Sequence, residues 1–96
     1  MKIEKFQDGD TLTLVLGGWL DTLAAPELDT VLEETSEDIK TIVFECKELE
    51  YISSAGMREI VAAAKRVKGN LTLKNISPEI KDVLDMTGLS KRMKFE

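Results

Sequence analysis

Histidine is absent from all 96 residues. Its absence removes imidazole general acid–base catalysis, His-dependent nucleophilic triads and imidazole metal ligation together. Cysteine occurs once, as Cys46, which excludes an internal disulfide and a cysteine-rich zinc site. No apolar run approaches the ~18–20 residues needed to cross a bilayer. The segment Met1-Lys2-Ile3-Glu4-Lys5 lacks the long apolar core of a signal peptide, so a reduced, cytoplasmic setting is expected. Positive charge is also scarce: 13 Lys and Arg stand against 18 Asp and Glu, for a net charge of -5. Nine of those acidic residues fall between Glu27 and Glu50, opposed only by Lys40 and Lys47. A phosphate-reading surface needs clustered cations with base-reading side chains. The short cluster Lys91-Arg92-Met93-Lys94 reads instead as a solvated chain end, so neither nucleic acid nor membrane is an expected partner. No metal or cofactor is expected, and an enzyme is disfavoured against a binding or switching module.

What the chain does contain is the balance of an ordinary globular domain, 43% hydrophobic and 32% charged. Its length suits one domain over residues 1–96, with a radius of gyration of roughly 12–13 Å. There is no repeat, low-complexity stretch or Pro/Gly-rich linker. Short apolar runs alternate with helical spacing, the mark of an α/β domain.

Met1 to Phe6 alternates weakly, as an edge strand does, and Gln7-Asp8-Gly9-Asp10 has turn chemistry. Thr11 to Leu16 places Leu12, Leu14 and Leu16 on one face and Thr11, Thr13 and Val15 on the other, completing a β-hairpin. Gly17-Gly18-Trp19-Leu20-Asp21 is expected to break the strand and lead into a first helix with Pro26 in its first turn. Thr41-Ile42-Val43-Phe44 reads as an inner strand, and Glu45 to Glu50 as a polar loop anchored by Leu49. A second helix is predicted over about Ser54 to Val67, with Met57, Ile60, Val61, Ala64 and Val67 as its apolar stripe. Leu71-Thr72-Leu73-Lys74 is a further strand. Ser77-Pro78 starts a third helix that Gly88 ends, and a last strand lies near Met93-Lys94-Phe95. The expected architecture is a mixed sheet of four or five strands with helices mainly on one face.

Two hydroxyls, Ser53 and Ser54, sit where an apolar strand meets the second helix. Local physics allows either to cap the helix by accepting an orphan N–H. The same helix head, with its free N–H groups and partial positive charge, also suits a phosphorylated hydroxyl, and small Ala55 and Gly56 leave the position open. Asp21 has two readings as well: a turn residue bonding its own backbone, or a carboxylate that orients a nearby serine and repels its phosphate. Gly17-Gly18 matches neither a Walker A nor a dinucleotide fingerprint and reads as a tight turn. Trp19 suits an interface, although a half-buried lid over the core is the preferred reading. Cys46 reads as a small apolar core residue with no basic neighbour to activate it.

The segments Leu16-Gly17-Gly18-Trp19-Leu20-Asp21, Ala25-Pro26-Glu27-Leu28, Leu49 to Met57, Asn75 to Ile80 and Met86-Thr87-Gly88-Leu89 together resemble the STAS family, and more narrowly the bacterial anti-sigma factor antagonists. The resemblance covers nearly the whole chain and implies a STAS-like fold and a role as a phosphorylation-controlled switch. In that family the unphosphorylated antagonist binds an anti-sigma factor serine kinase and so frees a sigma factor, and a phosphatase resets the phosphorylated form. The family's Asp-Ser-Ser-Gly becomes Ser53-Ser54-Ala55-Gly56, which puts the phosphoacceptor on Ser54 with Ser53 as fallback. Its loop aspartate falls on Asp21. Partner-binding is then expected from Asp21, Thr22, Ser53, Ser54, Gly56 and Met57, on a monomer or weak homodimer. The alternative is a constitutive STAS interaction module that is never phosphorylated, which the Ser53 replacement of the usual carboxylate keeps open.

Overall fold

Alternating leucines build the centre of the molecule. The computed structural model describes residues 1–96, and in it Leu12, Leu14, Leu16 and Leu20 are fully buried along one face of a single strand. That strand, β2 (Thr11–Leu20), pairs antiparallel with β1 (Lys2–Asp8) through a turn in which Gly9 adopts a positive φ of 61°. There follow α1 (Ala25–Glu33), β3 (Thr41–Ile52), α2 (Ser54–Arg66), β4 (Leu71–Lys74), α3 (Pro78–Met86), one 3-10 turn (Leu89–Arg92) and β5 (Lys94–Phe95). The five strands lie in the order β1-β2-β3-β4-β5, and every pair after the first is parallel. Each parallel connection carries a helix, and the order never reverses. Right-handed crossovers advancing in one direction therefore keep α1, α2 and α3 on one face of the sheet.

The core is the layer between that face and the helices. Ile42, Phe44, Leu71 and Leu73 from the sheet meet Leu28 and Leu32 of α1, Ile60 and Ala64 of α2, and Ile80 and Leu84 of α3. Each fully buried leucine or phenylalanine contributes about 1.5–3 kcal/mol of transfer free energy. The Cα radius of gyration is 11.9 Å. No helix is long and apolar enough to cross a membrane.

Two expectations from the sequence are corrected. Gly17-Gly18-Trp19 does not break the strand: β2 runs on to Leu20. Glu45 to Glu50 is not a loop: β3 continues to Ile52. Both errors have one cause. Between the pairs Val15↔Glu45 and Gly17↔Glu48, β2 advances two residues while β3 advances three; between Gly18↔Leu49 and Trp19↔Tyr51 it is one against two. These are β-bulges, each adding one residue to β3. They stretch the spacing of inward side chains from two to three, so Cys46, Leu49 and Ile52 are all buried while the residues between them look like a polar loop. Gly18, with φ of 89°, supplies a backbone conformation that a side chain would strain.

Candidate functional site

Strands β2 and β3 end side by side, at the carboxyl end of the parallel strands, where open α/β folds present their loops. The Leu20 carbonyl, last in β2, accepts the Ser53 N–H at 2.9 Å. This bond ties the end of β2 to the head of α2 and sets Asp21 and Ser54 each one residue beyond the tie.

Asp21 serves its own turn. Its Oδ1 accepts the N–H groups of Leu23 (3.1 Å) and Ala24 (2.9 Å), and its carbonyl accepts that of Ala25 at 2.8 Å. The structure thus realises the turn role of Asp21 as α1 begins. Thr22 and Leu23 project from this turn, and Leu23 is 86% exposed.

The two serines divide their work. Ser53 is the N-cap of α2, in extended conformation, and its Oγ accepts the Gly56 N–H at 3.2 Å. Its carbonyl takes the Met57 N–H at 2.9 Å. Ser54 is the first helical residue, exposed, with a hydroxyl that plays no part in the cap. Gly56 is buried: a Cβ there would lie 2.5 Å from the Leu20 carbonyl oxygen and 2.7 Å from its Cγ. Its contribution is to bring α2 hard against β2, not to offer surface. Met57 is half-buried and packs on the core.

Beside the serines, α1 and α2 bound a groove of about 330 Å³, lined on one side by Thr22, Pro26 and Asp29 and on the other by Ala55, Arg58 and Glu59. The Glu59 Oε2 is buried there without a hydrogen-bond partner. Burial raises the Glu59 carboxyl above the ordinary glutamate range, and the charges of the facing Asp29 and then of Glu33 raise it further.

Trp19 is not a half-buried lid. It is 59% exposed, and its ring lies 5.1 Å from that of Tyr51, tilted by 42°. The second bulge puts this pair opposite each other at the end of the sheet, on the face away from the helices. Cys46 matches its expected role: it is buried, and burial, with the Glu45 charge beside it, pushes the thiol up to about 12.

Leu23, Tyr51, Arg58 and the Asp29–Glu59 pair escaped the sequence reading. Leu23 carried one usable signal, an apolar residue in a polar turn outside the helical stripe. The carboxyl pair carried none, because it joins two helices.

The profile of the STAS domain matches residues 2–96. Among known proteins, the chain is 28% identical over 92 residues to BtrV of Bordetella bronchiseptica, which bears the name anti-sigma factor antagonist; the match covers 92% of this chain and 79% of BtrV. Among solved structures, the anti-sigma factor antagonist SpoIIAA in its unphosphorylated form superposes with a TM-score of 0.84 at 20% identity, over 99% of this chain and 88% of that one. The phosphorylated form of the Bacillus protein SpoIIAA gives 0.69 at 18% identity, over 99% and 91%. An anti-sigma factor antagonist from Mycobacterium paratuberculosis gives 0.84 at 16% identity, over 98% and 83%. At such identities the likeness is one of fold, whereas the family profile spans the sequence from its second residue to its last: the chain belongs to the STAS domain family.

Proposed function

We propose that this protein is an anti-sigma factor antagonist whose binding is switched by phosphorylation of Ser54. Unphosphorylated, it engages an anti-sigma factor serine kinase through the turn at Asp21 and Thr22 and the head of α2, and a sigma factor is released. The kinase carries ATP. The Ser54 Oγ bonds to the γ-phosphorus, the bond to ADP breaks, and the hydroxyl proton passes to a base of the kinase. The product carries about -1.5 to -2 charges at the centre of the contact surface. Their desolvation and their repulsion from Asp21 oppose binding, and a phosphatase restores the free serine.

The observation that carries this reading is the division of labour between the serines: the Ser53 hydroxyl is engaged by the Gly56 N–H at 3.2 Å, while exposed Ser54 is spared from the cap. The names of BtrV and SpoIIAA as anti-sigma factor antagonists support the same role. Intact mass after incubation with the cognate kinase and ATP is the test. One phosphate is expected on the wild type and on Ser53→Ala, and none on Ser54→Ala. An active kinase that leaves the wild type unmodified would establish the second reading, a constitutive interaction module, which the Ser53 replacement of the family's usual carboxylate favours. A phosphate that survives Ser54→Ala and vanishes in Ser53→Ala would move the acceptor to Ser53.

A further inference from the structure

Arg58 lies one turn along α2 from Ser54 and is exposed. The ion pairs of the chain involve Lys2, Arg66 and Lys81. Arg58 forms none, although Glu59 is its neighbour and Asp29 lies across the same groove. Residues four apart share one helix face, with Cβ atoms about 5–6 Å apart. Long side chains on a helix lean toward its N-terminus, which for Arg58 means toward Ser54. The planar guanidinium, always charged, presents paired donors that fit phosphate oxygens.

We propose that Arg58 is the intramolecular partner of the phosphate on Ser54, an inference that rests on Ser54 being the acceptor. Before modification Arg58 is an exposed cation one helical turn from a neutral hydroxyl. After it, the guanidinium draws the phosphate down the exposed face of α2 and offsets about one of its charges. The phosphorylated form is thereby held in one arrangement by the chain itself. The neighbouring carboxylates act in the opposite sense: Asp21, at the adjoining turn, and Asp29 and Glu59, which line the same groove as Arg58, repel the phosphate that Arg58 attracts.

The pairing is tested without the kinase, on full-length protein with phosphoserine installed at position 54 by amber suppression. The readout is the second ionisation of the phosphate, followed by phosphorus NMR against pH at low salt. A guanidinium that favours the dianion lowers this midpoint, so wild type is expected to titrate about half a unit below Arg58→Gln. The gap is expected to shrink in high salt, as screening requires, and Arg58→Lys to keep part of it. Unphosphorylated Arg58→Gln should melt with the wild type, since the residue is exposed and unpaired. Equal midpoints for wild type and Arg58→Gln overturn the pairing. Should the midpoints differ while the phosphoprotein still binds the kinase as tightly as the unmodified one, the pairing stands and the switch reading falls.

Discussion

Gly56 and the Leu20 carbonyl are in such close approach that a Cβ on Gly56 would sit 2.5 Å from the oxygen. The same oxygen accepts the Ser53 N–H at 2.9 Å. One backbone atom of β2 therefore sets both the position and the spacing of the head of α2. Gly56→Ala must push the helix away from the strand or break this bond. It is expected to destabilise the protein by about 1–3 kcal/mol, the usual range for overpacking, measured by urea unfolding. Wild-type stability in this variant would mean that α2 is free to slide over β2.

The serine pair separates stability from modification. Ser53→Ala removes an N-cap acceptor and should cost about 1 kcal/mol, read from the same unfolding curves. Ser54→Ala removes an exposed hydroxyl outside the cap and should change stability by less than about 0.5 kcal/mol. Equal losses in the two variants would contradict the assignment of the cap to Ser53.

Trp19 and Leu20 are adjacent but unlike. Leu20 is fully buried, whereas Trp19 is 59% exposed against Tyr51. Leu20→Ala is expected to cost about 2–5 kcal/mol. Trp19→Ala should cost only about 1 kcal/mol, the scale of one aromatic pair, despite removing the larger side chain. The tryptophan emission of the folded protein should also lie toward the red, as for a hydrated indole, and a blue-shifted emission would contradict its exposure.

The carboxyl of Glu59 gives stability a pH dependence of defined sign. Burial first, then Asp29 and Glu33, raise its folded-state pKa above the unfolded value. The folded protein thus binds the extra proton between the two values, and stability falls as pH rises from the ordinary glutamate range through the raised one. Glu59→Gln keeps the shape without the charge. It should match the wild type below this window and be more stable above it, as seen in melting temperatures across the range. A difference independent of pH would show that the carboxyl is not strained by its charge. Asp85 works in the reverse direction. Hydrogen bonds from Ser90 and Lys81 hold its carboxyl below the usual range, so its contribution is lost as pH falls through that lowered value.

Much of this protein was legible residue by residue. The Leu12-Leu14-Leu16 alternation marked a strand with one buried face, Ser77-Pro78 announced a helix, and Ser53-Ser54 identified a helix head, because each depends on neighbours within one turn or one pleat. The excluded chemistry was legible too, since an absent histidine is absent in any fold. Contacts between elements were not. Which serine caps α2 depends on where the Leu20 carbonyl lies. The two bulges of β3 exist only relative to the register of β2, so a bulged strand looked like a loop. The exposure of Trp19 follows from that register, and the Asp29–Glu59 pair from the packing of α1 on α2. Local pattern determined the elements and the chemistry available to them; tertiary structure decided which side chains meet, because sheet register and helix packing join residues that sequence distance keeps apart.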